Sequence, residues 1–463
     1  MEIYDPGRFP YYKIKGLATE KRKRGNPKNR KRRTYVHNIA AFDIETTRIE
    51  EIEQSVMYVW QFAIEDVGVC IGRTWPEFFI WLDTLRTAIE RIKEENKLPV
   101  NPLLVVWVHN LAYEWQWLSG YYPFTNEEVF FRDVRKPIYC RMFDTFELRC
   151  SYIQTNMSLS ALCKQTGVKQ KLSGQKYDYD KVRFPWTELT PFEQEYTTVD
   201  VESLVKAMKY RVSRGGDNLQ TVPLTSTGYV RRECKEALKD QFLDLRELKP
   251  AEKEYRLLRK AFRGGNTHAS RYYANKILED LNSADISSSY PNEIVNSLFP
   301  VSKFTLLKEC SEKKLDELIY KKKKAVLVRC SLQNVTLKDD IIPVPYIPTA
   351  KCRGIYNGAY DNGRVLSAEV IGEITLTDID YKILRQQYDF DIIIHQVATA
   401  RYGKLPKPLR DCVLDYYKQK TLLKDKKTGK VKLVRASYEG INKAFPKEHY
   451  RWAPAWVTPE RTF

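Results

Sequence analysis

Three stretches far apart in the chain carry carboxylates at spacings that can do chemistry. Asp43-Ile44-Glu45 closes the apolar run that begins at Tyr35. Alternate residues of a strand share a face, so both carboxylates point the same way. Two like charges on one apolar element are costly unless a cation joins them. Glu114 follows a second apolar run, LLVVWVHN, in His109-Asn110-Leu111-Ala112-Tyr113-Glu114. Tyr196 and Asp200 lie four apart in a helical stretch and so on one helix face. Each has an ordinary reading alone: a solvated strand-end turn for D-x-E, a helix-dipole partner for Glu114, a core histidine for His109, a surface pair for Tyr196 and Asp200. Together, four such carboxylates can hold two divalent cations ~3.5–4 Å apart, the arrangement used for phosphodiester cleavage. Tyr196, one turn before Asp200, can orient the attacking water, so neither a His nor a Lys base is required.

A second candidate is Ala284-Asp285-Ile286-Ser287-Ser288-Ser289-Tyr290-Pro291, between a strand-like KILEDLNS and a helix-like NEIVNSL. An Asp at a strand end beside free backbone N–H groups suits a metal-bound triphosphate. A Ser-rich turn capping a helix, with Tyr290 in the core, explains the same residues without function.

The elements that must position these groups are legible in part. Leu82, Leu85, Ile89 and Ile92 recur at helical steps. Residues 57–80 read as paired strands, and 103–110 as a buried strand feeding a helix. In 190–212, Thr190 is a natural N-cap and Pro191 suits the first helical position. Arg214-Gly215-Gly216-Asp217 is the candidate domain boundary. Beyond it come a helix at 229–244, a loop around Arg263-Gly264-Gly265, mostly strand over 325–380, a helix at 378–388, a strand at 391–396 and a helix at 408–424. Thr377-Asp378-Ile379-Asp380 opens a helix, where acids are ordinary caps. Lys321–Lys324 reads as a solvated strand edge.

The 463 residues carry a formal charge of +18, and residues 1–33 hold twelve Lys and Arg against three acids, half of that total. A run so dense in like charge, KRKRGNPKNRKRR, reads as a flexible arm for phosphates or as a solvated tail. With 43% hydrophobic residues, global disorder is excluded. No apolar run approaches the ~20 residues of a membrane helix. The nine cysteines form no C-x-x-C pair and the chain has five histidines, which disfavours zinc and leaves carboxylates as ligands for Mg or Mn.

In this order and spacing the carboxylate motifs resemble the 3′–5′ exonuclease motifs of family B DNA polymerases, in particular the protein-primed, bacteriophage-type branch. The resemblance implies an α/β fold: an RNase H-like exonuclease domain, then an incomplete α+β polymerase palm with an insertion. It implies metal-ligating roles for Asp43, Glu45, Glu114 and Asp200, a catalytic role for Tyr196, and two Mg (or Mn) ions per active site. Asn110-Leu111 and Ser158-Leu159 match pairs that hold single-stranded primer ends. D-x-x-S-x-Y-P matches polymerase motif A. Asp285 would then be a catalytic metal ligand, with Ile286, Ser288, Ser289 and Tyr290 binding nucleotide. Phe262-Arg263-Gly264-Gly265 resembles the DNA-contacting Y-x-G-G motif, with Phe for Tyr. Glu114 stands where Asp is usual, and Lys171 and Lys176 straddle the place of the branch's exonuclease lysine. K-x-x-x-N-S-x-Y-G and D-T-D are not found in the chain. The expectation is therefore a basic arm at 1–36, an exonuclease domain at 37–214, a partial polymerase domain at 215–430 and an atypical tail at 431–463. Nucleotide addition would need a second chain carrying the remaining motifs. Expected partners are primer-template and single-stranded DNA, dNTPs and a terminal protein primer. No membrane association is expected, and the expected location is the cytoplasm, that of the host if the chain is phage-encoded. A stand-alone exonuclease and a non-catalytic DNA-binding replication protein are the alternatives.

Overall fold

The computed structural model describes residues 1–14, 16–17, 34–168, 177–241, 248–269, 271–282, 289–339 and 344–423. Asp285, Ile286, Ser288, Lys171, Lys176, the basic run at 21–33 and the tail lie outside them. The chain divides into two units, one ending at Tyr229 and the next beginning at Val230. The break thus falls later than the expected Gly215, inside helix Ser226–Ala237.

The first unit is built on one eight-stranded sheet. Its strands are β1 (Ile3–Tyr4), β2 (Tyr35–Ile49), β3 (Gln54–Ile64), β4 (Gly68–Gly72), β5 (Leu103–Val108), β6 (Val129–Asp133), β7 (Lys136–Met142) and β8 (Phe146–Cys150). Their order across the sheet is β1-β4-β3-β2-β5-β8-β7-β6. β2 is central, antiparallel to β3 and parallel to β5. Its two faces feed two cores. Ala40, Phe42 and Ile44 pack with Trp60, Phe62 and the apolar side of helix α1 (Trp75–Glu95). Phe42 stacks on Phe78 at 4.9 Å and Phe62 meets Trp81 edge-on at 4.8 Å. Each such side chain contributes roughly 1.5–3 kcal/mol by burial. Ile39 and Ala41, on the opposite face, pack with Val105, Trp107 and helix α5 (Pro191–Arg214). Between β5 and α5 lie α2 (Ala112–Leu118), α3 (Ser151–Thr155) and α4 (Leu159–Thr166).

Two expectations for this unit change. β2 does not end at Glu45 but runs to Ile49, with a bulge between Glu45 and Thr46. The D-x-E pair therefore sits within a strand, because β3 pairs with it along its whole second half. Nor are residues 1–36 an arm throughout. The Met1 ammonium pairs with Glu202 at 2.9 Å, β1 pairs with β4, and Phe9 is buried against Trp81. Leu17 bridges Val36, the two residues that flank the segment holding the basic run.

The second unit carries helices α6 (Ser226–Ala237), α7 (Glu252–Ala261) and α8 (Ser289–Asn296). Short β9 (Phe299–Pro300), β10 (Thr305–Leu306) and α9 (Glu312–Asp316) follow. Then come β11 (Ala325–Leu337), β12 (Arg353–Tyr356), β13 (Ala359–Asp361), β14 (Arg364–Thr377), α10 (Asp378–Gln387), β15 (Tyr388–Ala400), β16 (Tyr402–Gly403) and α11 (Lys407–Leu423). The sheet order is β10-β15-β11-β14-β12, with β13 also on β14. β11 is central, so Lys321–Lys324 precede an interior strand and not a sheet edge. The strand expected at KILEDLNS is not formed over its described residues, 276–282. Ile277, Leu278 and Leu281 are exposed there, and apolar residues without a partner strand or a core make no strand.

Candidate active site

β2 presents Asp43 and Glu45 on the face that α5 covers, since the residues between and before them, Ile44 and Phe42, point into the other core. α5 begins where the residue types direct. Thr190 Oγ1 accepts from the Glu193 N–H at 3.2 Å, and Glu193 Oε2 accepts from the Thr190 N–H at 2.7 Å. Ten residues on from the cap, Asp200 faces the sheet and is buried. Oxygens of Asp43, Glu45 and Asp200 all lie within 4.8 Å of one another.

Glu114 arrives from the other side. β5 lies beside β2 and ends at Val108, next to Asp43. Asn110, at φ 71°, turns the chain into α2; Asn tolerates this left-handed conformation better than most residues. Glu114 is buried. Burial, then the charge of Asp43, pushes its carboxyl well above the ordinary range, and the two share a hydrogen bond. Its Oε2 has no hydrogen-bond partner among the described residues. The four expected carboxylates therefore converge, from one strand and two helices.

Tyrosines close the Glu45 side. Tyr196 is buried, its hydroxyl 2.6 Å from that of Tyr179, and its ring lies 4.3 Å from that of Tyr177. Tyr177 and Tyr58 join hydroxyls at 2.6 Å. Burial pushes both of these hydroxyls up, and the charge of Glu45 adds to it, so they stay neutral donors and acceptors. Arg183 organises this loop. It donates to Glu193 at 2.6 and 2.8 Å and to the carbonyls of Asp178 and Lys181 at 2.8 Å, with its guanidinium 4.9 Å from the Tyr177 ring. Gln61 on β3 donates to Asp43 at 3.4 Å.

The sequence reading did not single out Gln61, Tyr58, Tyr177, Tyr179 or Arg183. Gln61 had a signal, an amide inside the apolar run MYVWQFAI; the loop residues had none. Among the expected DNA contacts, Asn110 is exposed while Leu111 is buried in the α1-side core. Ser158 is the N-cap of α4, accepting from Ala161 at 3.3 Å, and Leu159 lies in the α5-side core.

In the second unit, Phe262 ends α7 and Arg263 pairs with Asp380 at 3.0 Å. Gly264 and Gly265 are exposed, and a side chain at Gly265 would meet the Tyr290 hydroxyl oxygen at 3.8 Å. Ser289 and Tyr290 open α8. Asp378 and Asp380 serve the fold, as their position at a helix start leads one to expect. Asp380 accepts from the Thr377 N–H and Oγ1, both at 2.8 Å, and Asp378 from the Val326 N–H and Tyr402 hydroxyl.

The donor set of the first unit is all oxygen and all acidic, with a buried, unsatisfied Glu114 oxygen on the Asp43 side. That set fits hard divalent cations such as Mg or Mn.

A sequence profile of the family "DNA polymerase type B, organellar and viral" matches residues 170–434, more than half of the chain. The chain belongs to that family. Its fold is similar to that of the phi29 DNA polymerase. Against the complex with primer-template DNA the TM-score is 0.58 at 15% identity, covering 83% of this chain and 64% of that one. Against the complex with single-stranded DNA it is 0.57 at 15% identity, with the same coverage. Against the ternary complex with primer-template and incoming nucleotide it is 0.53 at 14% identity, covering 88% of this chain and 66% of that one. The chain thus spans just under two thirds of the phi29 polymerase in the first of these structures. No curated protein matches it. Among the described residues, no helix is long and apolar enough to cross a membrane.

Proposed function

We propose that this chain is a protein-primed type B DNA polymerase whose first unit removes nucleotides from DNA 3′ ends. The observation that carries the exonuclease reading is the convergence of Asp43, Glu45 and Asp200 within 4.8 Å, with Glu114 hydrogen-bonded to Asp43. Asp43, Glu45, Glu114 and Asp200 would hold the two divalent ions, which supply an acidified water and stabilise charge on the scissile phosphate and the leaving 3′ oxygen. The chain's own residues do the rest. Gln61 fixes the Asp43 carboxylate by its hydrogen bond. Tyr196, its hydroxyl held by Tyr179, orients the water one helical turn from Asp200. Asn110, exposed at the mouth of the β5–α2 turn, offers its amide to the last nucleotides of a single strand. With Ser158 committed to its helix cap, that contact draws on the Asn side of the expected pair.

Family membership supports nucleotide addition by the second unit, on primer-template DNA with dNTPs. Asp285 with Ile286, Ser288, Ser289 and Tyr290 would hold the metal-bound triphosphate, and Gly264-Gly265 would approach the DNA beside Tyr290. A terminal protein is the primer that the protein-primed branch implies.

The test of the exonuclease is a 3′-labelled single strand incubated with the full chain and Mg or Mn. Metal-dependent shortening is expected, and loss of it in Asp43→Ala with Glu45→Ala. Equal shortening by that double variant would overturn the assignment.

A further inference from the structure

Outside the carboxylate site, the second unit holds a cavity of about 630 Å³ with a single sign of charge on its walls. Lys253, Arg256, Arg259 and Lys260 of α7, Arg329 of β11 and Arg353 of β12 line it. Carboxylates reach only three of them. Glu252 pairs with Arg256 at 2.6 Å, and Glu373 with Lys260 at 2.7 Å and Arg329 at 3.1 Å. No acid among the described residues pairs with Lys253, Arg259 or Arg353. Close by, burial together with the charges of Arg263 and Arg259 holds the Lys351 ammonium below its ordinary value, as expected where positive charge is uncompensated.

The cations form a row, not a focus. Lys253 and Lys260 are seven residues apart, about 10 Å along the helix. A small anion would require donors converging on one point. A phosphodiester chain takes donors in succession. Within the row stands Tyr255, lining the cavity with 53% of its surface exposed. Cations that track a backbone, with an aromatic face among them, are the pattern that binds single strands, whose bases are free to stack. We propose that this cavity seats a stretch of single-stranded DNA, phosphates on Lys253, Arg259 and Arg353 and a base on Tyr255. The choice of DNA rests on the polymerase reading above; the choice of a single strand rests on the cavity.

The experiment measures binding of the full chain to a labelled single strand and to a duplex of equal length. EDTA prevents cleavage, and salt is varied. Lys253→Ala with Arg353→Ala is expected to weaken single-strand binding and flatten the log K against log salt slope by about 1.4, two phosphates' worth. Arg353→Lys should keep the slope. Tyr255→Ala should weaken single-strand binding about tenfold at unchanged slope and leave duplex binding alone. All these side chains are exposed, so the fold should survive their loss. Unchanged affinity and slope would overturn the proposal. So would an equal loss for duplex, or displacement of the strand by inorganic triphosphate at matched phosphate concentration. Metal-dependent trimming of a 3′ end, measured in parallel on a short oligonucleotide, separates the two readings. Trimming with no effect of these substitutions sinks the cavity alone; altered slopes without trimming sink the exonuclease alone.

Discussion

Glu114 is the residue on which stability and chemistry pull apart. It is buried beside Asp43, and its carboxyl is pushed up by that burial and that neighbour. Replacing it with Gln removes a carboxyl whose ionisation burial and Asp43 both oppose, and keeps the shape. Without divalent metal, Glu114→Gln should melt higher, by about 2–4 °C for about 1 kcal/mol. Its exonuclease rate with metal should fall about 100-fold, the scale of losing one group that stabilises transition-state charge. Calorimetry and a 3′-label release assay read the two effects. A variant that melts lower and cleaves as fast would remove Glu114 from the site. At this scale the ligands were legible because carboxylates on apolar elements are uncommon and their spacings named a face. The supporting groups were not. Tyr177, Tyr179 and Arg183 sit in a loop with no periodicity, and only the folded chain brings them to Tyr196.

Two helix starts show how elements hold the site and the palm-side sheet. At α5, Glu193 caps the helix and grips Arg183, which in turn sets the tyrosine loop. Burial alone would raise the Glu193 carboxyl, but the Thr190 N–H and the Arg183 and Lys181 cations bring it down to about 2. A carboxyl ordinarily at 4.5 and lowered in the fold stabilises fully above 4.5, and that contribution drains away as pH falls toward 2. The Glu193→Gln variant should therefore be less stable by about 3 kcal/mol at pH 7 and by about half of that at pH 3. Urea midpoints at the two pH values check it; an equal gap would contradict the ion pair's role. At α10, Asp380 caps Thr377, accepts from Tyr346 and pairs with Arg263. Asp380→Ala should cost about 2–4 kcal/mol by losing a cap and stranding a largely buried arginine. Urea midpoints read this loss, and an unchanged midpoint would contradict the cap's role. Both helix starts could be read from residue types, because Thr-Pro-x-Glu and Thr-Asp-x-Asp are local signals. The false strand at 276–282 had a local signal too, the apolar Ile277, Leu278 and Leu281. It failed because pairing is a long-range condition that no local pattern supplies.

At the scale of the molecule, charge is concentrated where the fold does not need it. Residues 21–33 carry nine of the chain's Lys and Arg and no acid. They lie between Leu17 and Val36, which bridge one another, and the His37 N–H donates to the Gly16 carbonyl at 2.9 Å. Deleting 21–33 would leave five residues between Leu17 and Val36, a connection of hairpin length. Loop-closure entropy changes slowly with length, so deleting 21–33 should leave the melting temperature almost unmoved. Its effect should fall on DNA binding. Each phosphate contact contributes about 0.7 to the salt slope for a single strand, so losing about half of nine contacts should flatten the slope by about 3. At low salt the deletion should raise the KM for DNA and leave kcat alone, since the carboxylates proposed to act on the 3′ end are untouched. Near 200 mM salt, where screening already suppresses the contribution, the two chains should converge. A deletion that lowers kcat would tie the loop to the catalytic geometry. One that leaves the slope intact would make it a solvated segment and assign phosphate binding to the rest of the basic surface.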